Sequence, residues 1–374
     1  MNPSILNVHT HCFTLGHVPR HFFPGQGLLA RTERGRKLLS RSLRVLSRFH
    51  PEGRMERSAL FLQRGNHPDQ LSILEVLAGY YPRNTRFVVH SLDFDFMGAG
   101  QPLPGHDFIS QVEELARIKQ DPAWKDRIFP FFCVDPRRAG VADLVKEYIL
   151  HKGFAGIKLY PALGFYPFDP VLSPVWSWAA REGIPTMVHC SRSGPVYGRT
   201  LPPPSARIHP LNGEPLGARR KRIYADYYTH PLNWEPLLQE YPGLKVCFAH
   251  FGGDRDCMAF YKEGSRLRDN WFEHIVNLLK TYEGAYADIS FASANPDLMA
   301  LFHVYAQHRP EPTAVSCLPR EYALADKILF GSDFYMSQLR RNERWFSINV
   351  RSLTGEETFR RMSETNPEKF LFGE

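Results

Sequence analysis

No run of about eighteen apolar residues free of charge occurs in the 374-residue chain, so no membrane-spanning helix is expected. Cysteine is scarce: Cys12, Cys133, Cys190, Cys247, Cys257 and Cys317 form no CxxC pair. That excludes a disulfide scaffold and reads as reduced thiols of a cytoplasmic protein. The first residues lack a basic stretch followed by an apolar one, so no signal peptide is expected. The 27 glycines and 30 prolines show no period, which excludes a collagen-like chain, and 13% aromatics exclude intrinsic disorder. No GxGxxG follows the first β-rich run, against a dinucleotide-binding fold.

What is present is a recurring short apolar, β-rich run. Eight can be read: 4–9, 86–90, 128–134, 153–160, 185–189, 244–250, 285–290 and 327–333. Helix-compatible stretches such as 139–151, 174–182 and 234–240 lie between them. Strand and helix in alternation imply a parallel sheet, and eight such units imply a distorted (β/α)8 TIM barrel, read as a single domain over 1–374. Two connections are too long for simple crossovers. Residues 12–85 and 191–243 both leave the C-terminal end of a strand, where barrel active sites lie, and are expected to shape the pocket.

The chemistry is carried by the strand ends. In a strand, His9 and His11 share a face and Thr10 points the other way, so two imidazoles can meet one ion. His189, His250 and Asp333 each close a later apolar run, and a closed barrel would bring these ends to one mouth. Lys158 closes the fourth run. Tyr160, Tyr197 and Tyr335 lie just past strand ends. Arg192, Arg199 and Arg255 follow the fifth and sixth runs, where a guanidinium can clamp a carboxylate or phosphate. His230 reads as a helix entry, and Asp288 as a hydrogen-bonding residue at least as much as a catalytic one. Cys12 and Cys190 should pack on the opposite strand face.

These residues give the chain a clear resemblance to the amidohydrolase superfamily, and within it to the amidohydrolase-2 branch of hydrolases and decarboxylases. The carriers are His9 and His11, His189, His250 and Gly331–Asp333, with support from Tyr286–Ser290 and Asn366–Gly373. The resemblance implies that His9, His11 and Asp333 bind a divalent metal, zinc foremost, with Mn, Fe or Co also suited. His189 would be a ligand with one ion or two. His250 would bind a second ion or act as an acid/base group near the substrate. Lys158 would be a carbamylated bridge between two ions, an unmodified site lysine or a structural ion pair.

The implied activity is hydrolysis of a C–N or C–O bond in a small anionic substrate by metal-activated water, with Asp333 as the base and Tyr160, Arg192 and Arg199 as substrate contacts. The alternative is non-oxidative decarboxylation of an aromatic or unsaturated acid.

The net charge is +7. Basic residues from Arg31 to Arg48 alternate with Leu38, Leu39, Leu43, Leu46 and Phe49 in an amphipathic helical pattern, and Arg219–Arg222 forms a second cluster. Both are read as covering segments of the two insertions, packed on the barrel or on a second subunit of a homodimer. Neither a nucleic-acid partner nor a stable membrane anchor is expected.

Overall fold

The computed structural model describes residues 4–19, 54–192, 207–208, 213–217, 221–263, 269–306 and 324–373, with residues 21, 32, 34, 35, 37, 38, 41 and 42. Its centre is a parallel eight-stranded sheet in sequential order. The strands are β1 (Leu6–Thr10), β2 (Arg86–His90), β3 (Ile128–Val134), β4 (Gly156–Leu159), β5 (Pro185–Ser191), β6 (Lys245–Gly252), β7 (Ala285–Asp288) and β8 (Ile328–Leu329). Strand β8 is only two residues long, so the expected run 327–333 leaves the sheet before Asp333. The barrel closes through Val8 N–H to Phe330 O (3.0 Å), Asp333 N–H to His9 O (2.8 Å) and a parallel bridge between Thr10 and Phe334. This is a (β/α)8 TIM barrel.

Helices flank it: α1 (Arg54–Gly65), α2 (Gln70–Ala78), α3 (Phe108–Gln120), α4 (Val141–His151), α5 (Ser173–Glu182), α6 (Lys221–Thr229), α7 (Glu235–Glu240), α8 (Asp254–Glu263), α9 (Trp271–Thr281), α10 (Met299–Tyr305), α11 (Val350–Thr354), α12 (Glu356–Arg360) and α13 (Asn366–Phe372). Local chemistry sets their starts. Asp69, Asp107 and Asn270 accept the N–H of Ser72, Ser110 and Glu273, each satisfying a donor that a helix terminus would leave orphaned. The face of α9 that carries Trp271, Phe272, Ile275, Val276 and Leu279 is buried, which ties its apolar periodicity to the barrel wall.

The barrel interior is filled by Leu6, Val8, Val88, Phe131, Met187, Cys247, Ala249, Tyr286 and Leu329, joined by Phe370 and Leu371 of α13. Arg86 and Lys245, at the starts of β2 and β6, bond to Glu368 and to Phe370 O, so α13 plugs the N-terminal end. The opposite end is left for a cavity. Among the described residues, no helix is long and apolar enough to cross a membrane.

Of the amphipathic basic stretch 31–48, most lies outside the described residues, as do the side chains of Arg219–Arg222. Leu38, expected to pack on the barrel or on a second subunit, is described and is 55% exposed in the single chain.

Candidate metal centre

The interior face of β1 runs through Leu6 and Val8, and strict alternation would next turn Thr10 inward. A register shift between Asn7 and Thr10 changes the phase, and bulges commonly re-aim side chains in this way beside active sites. Thr10 instead donates its hydroxyl to Val88 O. His9 and His11 come together with ring centroids 5.3 Å apart.

Each ring is then fixed by an acceptor that cannot donate. His9 Nδ1–H donates to Asp288 Oδ2 (2.8 Å), and His11 Nδ1–H donates to the carbonyl of His90 (3.1 Å). The protons therefore sit on Nδ1, and the Nε2 lone pairs face Asp333 Oδ1 at 3.6 Å for His9 and 3.3 Å for His11. Burial holds both imidazoles below their ordinary pKa. For His9 the neighbouring Lys158, His250, His11 and His189 push the same way, while for His11 the Asp333 carboxylate opposes. Two neutral Nε2 donors and a carboxylate oxygen, all within 4.8 Å of one another, fit a divalent ion, and each ring carries the outer hydrogen bond that orients metal-binding histidines.

Lys158, at 1% exposure, lies on the same floor with Nζ 3.4 Å from His9 Nε2. Burial lowers its pKa to about 8, against the pull of Asp288 and Asp333. His250 and Asp333 are both left-handed, at φ 63° and 59°, as is Phe251 at 49°. Non-glycine residues hold that conformation only where the surroundings over-determine it. For His250 the surroundings include Asp288 Oδ1, which accepts its backbone N–H (2.9 Å), and Ser290, whose Oγ lies 2.9 Å from Nδ1. Its Nε2 meets His189 Nδ1 at 3.2 Å. Burial and the neighbouring His250 hold the His189 pKa well down.

His9, His250 and Asp288 also cluster, but His9 enters that group through the Nδ1–H already given to Asp288, so it is a hydrogen-bonded triad and not a second ligand set. A third cluster is formed by His230, Asp269 and His274. There His230 Nδ1 accepts from Leu232 N–H, which leaves Nε2–H to donate to Asp269 and no lone pair for an ion.

Above the floor is a cavity of about 680 Å³. Phe13, Phe61 and Leu62 from the first long connection join Leu92, Phe94 and Met97 as an apolar wall, with Arg192, Arg255 and Arg340 also lining it. Tyr160 lines the cavity with its ring edge-on to His189 at 4.6 Å. Arg192 does so too, but its guanidinium is bonded to Asp256 and Asp269 and stacked over Trp271, so its donors are largely committed within the protein. Arg199 and Tyr197 lie outside the described residues. Tyr335 is buried with its hydroxyl on Phe13 O, and Cys12 and Cys190 pack in the layer between barrel and helices.

Sequence reasoning passed over His90, whose carbonyl orients His11 and whose ring stands 4.7 Å from that of His9. It closes a β-rich run just as His189 and His250 do, so the signal was the same. It gave Ser290 no role, while Asp288, expected to be a hydrogen-bonding residue at least as much as a catalytic one, does accept from His9 and His250.

Residues 97–373, well over half of the chain, match the family model described as amidohydrolase. No curated protein sequence matches the chain. Among solved structures, an uncharacterized TIM-barrel protein from Bordetella bronchiseptica is similar at TM-score 0.54 and 14% identity, covering 98% of each chain. The 5-carboxyvanillate decarboxylase of Novosphingobium aromaticivorans, solved with manganese and a nitrobenzoic acid, is similar at TM-score 0.53 and 15% identity, over 99% of this chain and 97% of that one. The 2,6-dihydroxybenzoate decarboxylase from Rhizobium follows at TM-score 0.51 and 14% identity, with 98% of each chain covered. At these identities the likeness is one of fold.

Proposed function

The chain belongs to the amidohydrolase family, and from that premise we propose that it is a metal-dependent hydrolase cleaving a C–N or C–O bond of a small acid. The observation that carries this reading is the Asp333 carboxylate facing the Nε2 atoms of His9 and His11 at 3.6 and 3.3 Å. Those three residues would hold one divalent ion, zinc or manganese before iron or cobalt. When bound, the ion supplies Lewis acidity, polarising a substrate carbonyl and lowering the pKa of water towards about 7.

The remaining work falls to the side chains. The Asp333 carboxylate accepts the proton of the attacking water. His9 keeps its own Nδ1 proton on Asp288, which prevents the ring from turning. The proton that Asp333 takes from the water passes to the leaving group, with His250, its Nδ1–H held by Ser290 O and its Nε2 beside His189, as the polarising group next to it. Lys158 donates to a substrate oxygen on the floor. The wall of Phe13, Phe61, Leu62, Leu92 and Phe94 seats an apolar body and keeps bulk water from the reacting bond. The five described cysteines are buried and unpaired, which supports a reducing, cytoplasmic setting.

The second reading is a non-oxidative decarboxylase of an aromatic or unsaturated acid. The aromatic wall favours it, and so does the presence of two decarboxylases of aromatic acids among the similar folds. There Asp333 serves the ion alone and His250 protonates carbon.

One experiment separates them. Aryl amides, lactones, cyclic imides and hydroxybenzoic acids are turned over in ¹⁸O-labelled water. Hydrolysis places label in the product. Release of CO₂ with no label entering would overturn the hydrolase assignment. Metal content per chain with the intact mass tests the ion and Lys158 together: one ion and an unmodified mass are expected.

A further inference from the structure

Beside the catalytic cavity lies a second cleft of about 540 Å³ with a different chemistry. Arg57 of α1 and the consecutive Arg340 and Arg341 after β8 line it, with Asp254 its one acidic residue and Asn295 a neutral one. The two spaces share Asp254, Phe291, Leu339 and Arg340, so they adjoin across these residues. From this geometry we infer that the arginine cleft is an anion subsite that takes a carboxylate or phosphate on the far arm of the substrate.

Arg340 and Arg341 are held in place, which lowers the cost of ordering them around a ligand. Arg341 Nε donates to Ala294 O (3.1 Å), and its guanidinium lies 4.8 Å from the centre of the Trp345 ring. Arg340 pairs with Asp254 at 3.2 Å, so three guanidinium groups line the cleft against one carboxylate. Asn295 Oδ1 accepts from Asp297 N–H, so its amide nitrogen is the end left to donate. Planar guanidinium groups match carboxylate and phosphate oxygens two at a time, which a scattered surface arginine has no reason to be arranged for.

Phe291 joins the two spaces. Its ring stands 6.0 Å from the His250 ring and 5.5 Å from the Arg340 guanidinium. Its backbone is left-handed, at φ 55°, a conformation that an aromatic residue keeps only under constraint. The strained residue thus stands between the histidine floor and the cleft. A substrate with its scissile group on the histidine floor would lay its body along Phe291 and its acid among the arginines. For the position of that scissile group, the inference rests on the proposed function.

Binding, with no turnover involved, tests it. Inorganic phosphate and malonate are titrated calorimetrically into ion-free protein, and the better binder tells phosphate from carboxylate. Millimolar or tighter binding of at least one is expected. Arg341→Gln and Arg57→Gln should each weaken it about tenfold or more, Arg341→Lys by less, and Lys158→Gln by under twofold. Arg340→Gln, whose side chain is 56% exposed, is a variant that folding should tolerate, and it should also weaken binding. Absence of binding by both anions overturns the inference. So does loss of binding in Lys158→Gln with retention in the arginine variants. The metal reading is judged separately, by ion uptake in His11→Asn, which should fail while anion binding to the cleft persists.

Discussion

Asp288 accepts the Nδ1–H of His9 at 2.8 Å, and its other oxygen accepts the backbone N–H of His250 at 2.9 Å. One buried carboxylate therefore sets the tautomer of one imidazole and the strained backbone of another. Asp288→Asn keeps the size but offers His9 an amide in place of a charged acceptor. Loss of such an outer hydrogen bond typically costs 10–100-fold in metal affinity. We expect that loss in chelator-competition titrations, with an unchanged circular dichroism spectrum. Unchanged affinity would mean that His9 does not depend on Asp288.

Asp333→Asn retains one oxygen for an ion and removes the base. Turnover of a hydrolysed substrate should fall ~10²–10⁴-fold with binding largely kept. A decarboxylase would lose more from His250→Asn. The ratio of the two losses, measured on one substrate, reports which residue moves the proton.

Gly331 precedes Asp333 by two residues, and a Cβ there would stand 2.7 Å from His9 Cβ and 3.1 Å from Ser290 Cβ. Gly331→Ala must push His9 off its station. A destabilisation of about 1–3 kcal/mol by denaturant titration is expected, with weakened ion binding beyond it. A variant as stable as the parent, binding metal equally well, would show that the strand ends can part.

Glu343 is fully buried against Tyr81, whose hydroxyl it accepts at 2.6 Å, and burial lifts its pKa to about 8. Folded protein thus keeps a proton that the unfolded chain, with an ordinary carboxyl of 4.5, gives up. The stability from this group is present in full below pH 4.5 and is lost as pH rises through about 8. Relative to Glu343→Gln, the parent should weaken by a few kcal/mol between pH 5 and 9. Parallel stability curves for the two proteins would contradict the assignment.

Much of this was legible beforehand. His9, His11, His189, His250 and Asp333 each stand at the end of an apolar run, and a parallel barrel carries such ends to one rim. The period-two pattern was less reliable than it looked. It pairs His9 with His11 correctly, yet only the register shift in β1 turns both inward. The left-handed turns at His250 and Asp333 leave no mark in composition, since neither is glycine. Arg192 read as a substrate clamp because Asp256 and Asp269, which occupy it, are 64 and 77 residues away. Pairings at that distance have no local periodicity to betray them.

The closing seam of the barrel has a consequence for how the protein is made. Of the candidate ligands, His9 lies in the first strand, His11 directly after it and Asp333 beyond the last, and Asp333 N–H to His9 O is one of the bonds that join them. On the ribosome, at roughly 5–20 residues per second, His9 and His11 emerge tens of seconds before Asp333 is synthesised. A nascent chain or one truncated before β8 would present two histidines and no carboxylate. Loading of the ion would thus be postponed to the end of translation, and a fully charged site would certify a finished chain.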